Sequence, residues 1–285
     1  MKIPARAKVA FCMCIWGSIG IFRRYIPLSS AVLACARGLA GALMLLLYLK
    51  LRHEKLDLKA MGKAKIPVII CGVLMGINWI LLFESYRYTS VGIATLCYYM
   101  EPVFVILASP LVFGEKLTGR KLICVACAFF GMFLVSGLLG SGDQVIGARG
   151  VILGLGAGVL YAAIMMTNKR FPGISAVDRT AVQLGAAGAV LLPYILLTED
   201  LSSVRPGALG IVMTLAVCLI HTGIAYVLYF SSIDELPVQT LAIMSYLDPV
   251  VALLLSVFLL REPFGIAQLI GAALILGAGY MADKE

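Results

Sequence analysis

Two carboxylates stand where a carboxylate is costly. Glu101 and Asp248 each lie about eleven residues into a long apolar run, and each immediately precedes a proline. At the centre of a membrane a charge costs at least ~2.5 kcal/mol unless it is paired, protonated or wetted by a cavity. Proline also leaves a carbonyl one turn earlier without its amide partner. Kinks are therefore expected around Val103 and Val250, with local polarity where a solute can bind. Two chemistries fit: cavity carboxylates that hold a cation or a coupling proton, or protonated and paired acids that lock helices together.

Around these acids the sequence sets aromatic residues in matched pairs, Trp16/Tyr161, Trp79/Tyr226 and Tyr99/Tyr246. An aromatic box attracts an ammonium group through cation–π contacts of about 0.5 to 2 kcal/mol each. The competing reading is ordinary packing. On a continuous helix Tyr98 shares the face of Glu101, whereas Tyr99 points roughly the other way, so the acidic pair and the Tyr99/Tyr246 pair are expected on different surfaces. Arg37, inside the second apolar run, suits a substrate carboxylate, an acidic partner or an outward-reaching structural role. Asn78 and His221 sit in mid-run, as cavity-lining or helix-contact residues. Glu84, Glu115 and Glu262 lie near run ends, where solvation or capping comes first.

Other chemistries find little footing. All eight cysteines lie in apolar runs, where a thiol acts as a small hydrophobe. Cys124-x-x-Cys127 has no second pair or nearby histidine to complete a metal site, so none is expected. No phosphate-cradling loop and no Ser-His-Asp order is visible, which argues against ATP coupling, a cofactor or hydrolytic catalysis.

The elements that must carry these residues are membrane helices. The chain of 285 residues is 61% hydrophobic and 13% charged, with a mean hydropathy of +1.01, far outside the soluble balance. About 20 apolar residues cross a bilayer as a helix. Ten segments qualify: 7–22, 30–49, 66–86, 90–113, 119–139, 148–167, 177–197, 207–232, 237–260 and 264–282. The start MKIPARAK followed by an apolar run resembles a signal peptide, but the repeat described next makes it the partner of Val151 to Asn168 and so a retained first span.

The chain holds one pattern twice. Asp248-Pro249 follows Glu101-Pro102 by 147 positions, and Glu262 follows Glu115 by the same interval. Phe83 maps to Phe230, Ser85 to Ser232, and, with the offset one or two smaller, Trp16 to Tyr161, Arg37 to Gln183 and Tyr48 to Tyr194. Two five-helix repeats, 1–140 and 141–285, are expected. Of the 23 basic residues, 16 fall on the side shared by both termini, which places the termini in the cytoplasm. The net charge of +8 is thus a topology signal, and nucleic-acid binding is excluded. With five spans per half the repeats are inverted, the plan of secondary transporters with substrate near the midplane. Gly150, Gly154 and Gly158 form a ridge for close helix packing, read as internal contact in preference to a dimer face. The basic run from Leu51 to Lys65 is expected to touch anionic lipid headgroups.

The segments MEPVFVILASPLVFGEKLTGRKLICVACAFFGMFLV and LDPVVALLLSVFLLREPFGIAQLIGAALILGAGY resemble the EamA domains of the drug/metabolite transporter superfamily. The resemblance spans essentially the whole chain. It implies a ten-helix inverted-repeat carrier with a central cavity lined mainly by the first, third and fourth helices of each half, and export of amino acids or other metabolites. The second half departs in having Asp248 for glutamate and no basic residue directly after Glu262, which leaves the fold expectation intact.

The expected protein is an all-α carrier of the cytoplasmic membrane, working by alternating access on a small zwitterionic metabolite. Its site is expected among Trp16, Asn78, Trp79, Tyr98, Tyr99, Glu101, Tyr161, His221, Tyr226, Tyr246 and Asp248. Glu101 and Asp248 would handle an amine or a coupling proton, and Arg37 a carboxylate. An organic-cation or choline-like carrier is the alternative, and a membrane enzyme or structural protein the remote one. The expected partners are the solute, membrane lipids and a coupling proton; monomer and homodimer both remain open.

Overall fold

A chain buried in lipid must satisfy every backbone amide internally, and long apolar runs do so as helices. The structure, a computed structural model, describes residues 4–114, 117–135, 147–168, 170–171, 173–200, 205–230, 232, 235–236, 244–245 and 247–282. Among them the regular structure is helical throughout. In chain order the helices are α1 (Ala5–Gly17), α2 (Ile19–Arg24), α3 (Ser30–Leu51), α4 (Lys65–Tyr88), α5 (Val91–Tyr98), α6 (Glu101–Phe113) and α7 (Gly119–Val135). There follow α8 (Ala148–Asn168), α9 (Ala176–Thr198), α10 (Ala208–Ala216), a wide π-helical stretch over Val217–Ile224, α11 (Ala225–Phe230), α12 (Leu247–Phe258) and α13 (Ile266–Ala282).

Among the described residues seven stretches are long and apolar enough to cross a membrane: Ala5–Arg24, Ser30–Leu51, Gly62–Tyr88, Val91–Phe113, Ala148–Asn168, Ala176–Thr198 and Ala208–Tyr229. The other three expected spans fall on α7, α12 and α13, which are shorter here. Residues 136–146, 237–243 and 283–285, beside them, lie outside the described residues, as do Glu115 and Tyr246. Side chains such as Leu111 (92% exposed) and Leu197 (85%) point outward from the bundle, which suits a surface covered by lipid.

Local sequence fixes the helix ends. Ser29 and Ser90 accept the amides of Val32 and Ile93 at 3.2 and 3.1 Å, capping α3 and α5. Gly114 closes α6 in the left-handed region at φ 70°.

The expected proline kink is instead an interruption. The span Val91–Phe113 breaks at Tyr99 and Met100, and Glu101-Pro102 opens the new helix α6. Proline is tolerated in a first turn because amides there have no intrahelical acceptor. Asp248-Pro249 likewise occupies the first turn of α12.

Helices from the two halves of the chain interleave. The first helix of each half packs on the interrupted region of the other: α1 on α12, and α8 on α5 and α6. The pairs α3 with α9 and α7 with α13 join the halves again, and α4 lies against both α8 and α9. Small residues permit these approaches. A Cβ on Gly38 would stand 2.8 Å from the backbone nitrogen of Gly188, so α3 and α9 touch backbone to backbone. The ridge on α8 is internal: Cβ atoms on Gly150, Gly154 and Gly158 would stand 2.8 Å from Thr89, 2.8 Å from Cys97 and 2.9 Å from the Tyr98 carbonyl.

Candidate functional site

The break at Tyr99–Met100 brings tyrosines and acids together. Tyr98 stacks on Tyr161 of α8 with centroids 5.1 Å apart and planes 17° from parallel, and meets Tyr99 edge-on at 5.7 Å. Tyr99 lies within electrostatic reach of Asp248. This corrects the expectation that Tyr99 faces away from the acids, which assumed a continuous helix through residues 98–101. Glu101 and Asp248 both lie within electrostatic reach of Tyr98 and Tyr161, so the two acids share one aromatic neighbourhood.

On the other side of that neighbourhood stands Arg37, 4% exposed. Its Nε donates to the Thr222 hydroxyl at 2.9 Å. Its guanidinium carbon lies 4.3 Å from the Trp79 ring centroid and 5.3 Å from that of Phe83. Tyr226, Cys218, Tyr98 and Tyr86 face it, and among the described residues no carboxylate forms an ion pair with it. Tyr86 senses both Arg37 and Asp248, so a positive and a negative group flank one tyrosine wall. Tyr86, Tyr98, Tyr99, Tyr161, Tyr226 and Asp248 are surrounded by protein and yet keep accessible surface. Together they form a partly accessible aromatic and acidic cluster inside the bundle.

The π-helical stretch holds the cationic side in place. Thr222 accepts from Arg37 and donates to the Val217 carbonyl five residues back at 3.1 Å. The His221 carbonyl accepts the Trp16 indole N–H at 2.8 Å, and the His221 ring nitrogen Nε2 meets the Ser18 hydroxyl at 3.0 Å. Wide turns of this kind recur at functional sites. Trp16 also packs on Tyr226 and Tyr229 at 5.4 and 5.3 Å.

Several expected site residues have other occupations. Asn78 donates to the Ala157 carbonyl at 2.5 Å and is 1% exposed, a contact between α4 and α8. Trp79 offers one ring face to Arg37, so that face is closed to a ligand cation. His221 is committed to Ser18 and packs edge-on against Phe22 at 4.5 Å. Gln183, the repeat partner of Arg37, is buried and donates to the Asn168 side-chain oxygen at 2.7 Å.

Thr222, Tyr229, Tyr86 and Ser18 were not singled out by the sequence. Tyr229 had a usable signal, lying three residues after Tyr226 and so on its face. Thr222, beside His221 in an apolar span, was a second polar group worth following. Ser18 and Tyr86 carried no comparable mark.

The profile of the EamA-like transporter family matches this chain twice, over residues 8–137 and 148–282. The chain belongs to the EamA-like transporter family. It is 32% identical to the uncharacterized transporter YxxF of Bacillus subtilis (strain 168), over 90% of this chain and 81% of that one. It is 24% identical to protein PecM of Dickeya dadantii (strain 3937), over 94% and 88% of the two chains. A protein of Escherichia coli (strain K12) described as "Probable amino-acid metabolite efflux pump" is 25% identical over 75% of this chain and 77% of its own. A crystal structure 19% identical superposes with a TM-score of 0.68, covering 99% of this chain and 98% of the other; that likeness concerns the fold. This member of the family is thus a multi-pass membrane protein, and its family indicates a transporter of small molecules.

Proposed function

We propose that the chain exports small zwitterionic metabolites, amino acids or close relatives, across the cytoplasmic membrane by alternating access. One arrangement carries the reading: Arg37, buried and with no ion-paired carboxylate among the described residues, and two acids, Asp248 and Glu101, flank one group of partly accessible tyrosines. A buried charge without a counter-charge is costly, and a bound carboxylate supplies the missing partner. The acids receive the ammonium group or exchange it for a coupling proton. A relative described as an amino-acid metabolite efflux pump agrees with this class.

The architecture that serves this function is two inverted repeats of five helices, 1–140 and 141–285, with both termini in the cytoplasm. Support comes from the two family matches, the reciprocal packing of α1 on α12 and α8 on α5 and α6, and the distribution of basic residues. A cavity between such halves opens to one side and then the other.

A second reading has its own observation. Trp16, Tyr226 and Tyr229 form a ring cluster beside the Tyr98–Tyr161 stack, which suits a quaternary ammonium ligand. Closure of one Trp79 face by Arg37 weighs against it. Thermal unfolding of the detergent-purified protein with amino acids, their carboxylate-free amines and choline separates the two. A ligand at 100 times its dissociation constant stabilises the fold by about 2.7 kcal/mol. Stabilisation by amino acids and not by the amines supports the zwitterion reading; equal or greater stabilisation by choline overturns it.

A further inference from the structure

Where α3 ends, the chain folds back over the last turns of its own helix. The His53 amide donates to the Lys50 carbonyl at 3.0 Å and the Glu54 amide to that of Leu49 at 2.9 Å, with His53 in the left-handed region at φ 57°. This pair of bonds is a common close of a helix, and its left-handed position usually belongs to glycine, which has no Cβ to strain. Here histidine occupies it and carries an imidazole to that point.

The reversal leaves a groove of about 360 Å³, within the range of about 300 to 1,000 Å³ that holds small ligands. Its lining joins three apolar residues, Leu46, Leu49 and Leu56, to three that can donate hydrogen bonds, Lys50, His53 and Lys55. Glu54 is the one carboxylate in the lining, and it already accepts from Arg52 Nε at 3.0 Å. Asp57, two residues on, commits its Oδ1 to the Lys59 and Ala60 amides at 3.0 and 2.9 Å. Among the described residues neither Lys50 nor Lys55 has a carboxylate partner. The two amines are thus left for an acceptor from outside the chain. Beside them the end of α3 is an apolar surface: Leu46 and, outside the groove, Leu43, Leu47 and Leu51 are exposed, as on a face that meets a membrane. A ligand that meets the amines and this surface together has an anionic head and a hydrocarbon tail.

We propose that the groove is a binding site for one anionic phospholipid: Lys50, Lys55 and His53 hold the phosphate, and Leu46 and Leu49 take the first part of an acyl chain. The site is narrower than the general attraction of a basic loop for an anionic bilayer, because it has one location and one occupant. It depends neither on the transported solute nor on which side of the membrane the termini occupy.

Native mass spectrometry of the full-length protein, delipidated in detergent and titrated with dioleoylphosphatidylglycerol, counts bound lipid directly. One copy per chain binds more tightly than any further copies. Lys50→Gln/Lys55→Gln lowers that affinity about thirtyfold, the effect of two cations beside the phosphate. Lys63→Gln/Lys65→Gln removes the same charge from the same basic run but from outside the groove, and leaves the affinity unchanged. His53→Gly puts the usual residue at the left-handed position and so keeps the turn, yet lowers affinity about three- to tenfold for one lost hydrogen bond. Equal losses in the two lysine variants identify diffuse surface attraction and overturn the proposal. So does unchanged affinity in either groove variant, or equally tight binding of the zwitterionic dioleoylphosphatidylcholine. Displacement of the lipid by millimolar glycerol 3-phosphate marks a soluble phosphate ester as the occupant and overturns it too. If Lys50→Gln/Lys55→Gln does not fold, His53→Gly decides alone: a loss supports the site, and unchanged affinity overturns it.

Discussion

Replacing Arg37 by methionine removes a charge while keeping most of the side chain's apolar length, and its effect on stability can be worked out from its surroundings. Burying an ion costs several kcal/mol. Against this stand one charge-assisted hydrogen bond to Thr222, about 1.5 to 3 kcal/mol, and a desolvated stack on Trp79, about 2 kcal/mol. The terms nearly cancel, so Arg37→Met leaves the ligand-free protein within about 1 kcal/mol of the original. A structural arginine in a buried ion pair would cost about 3 to 5 kcal/mol on removal of one partner. Ligand binding responds differently. Two charge-assisted hydrogen bonds to a carboxylate amount to about 3 kcal/mol or more, so affinity for amino acids falls at least about a hundredfold. Binding of the matching carboxylate-free amines stays constant. Equilibrium unfolding in detergent, with and without ligand, reads both quantities. Destabilisation of about 3 to 5 kcal/mol with unchanged ligand preference would refute the reasoning, since it would mark Arg37 as a packing residue.

Thr222→Val deletes the acceptor that orients Arg37 and lowers affinity for carboxylate-bearing ligands about tenfold, while Thr222→Ser retains it; equal behaviour of the two in a binding titration removes Thr222 from the site's support. Gly38→Ala places a methyl group 2.8 Å from the Gly188 nitrogen and 2.9 Å from the Leu184 carbonyl, backbone atoms that cannot step aside. It costs about 1 to 3 kcal/mol, whereas Gly277→Ala, with open space at that position, costs nothing in the same unfolding assay.

The sequence made the membrane character legible because lipid leaves so few solutions: apolar runs of sufficient length must be helices. The paired positions were legible because duplication leaves a fixed interval that survives loop changes. Orientation of side chains was less so. The face assigned to Tyr99 assumed 3.6 residues per turn through a segment that breaks at Met100, and the break brings it within electrostatic reach of Asp248. The wide turn at Val217–Ile224 has no composition of its own, so the link from Thr222 to Arg37 was invisible. Trp79 looked available because nothing in a sequence shows that an arginine from another helix, 42 positions earlier, lies across its ring. Asn78 was recognised as polar and central, but which of its neighbours it binds is a property of the α4–α8 contact.

The unlike pair Arg37 and Gln183 has a consequence for direction. A cavity assembled from two identical halves would present the same charge on both walls and could not tell one end of an elongated molecule from the other. At this matched position one half contributes a cation and the other a neutral amide held by Asn168, whereas both halves contribute an acid, Glu101 and Asp248. On the proposed reading the cavity therefore has a head and a tail, and a solute with its own head and tail would enter it in one sense only.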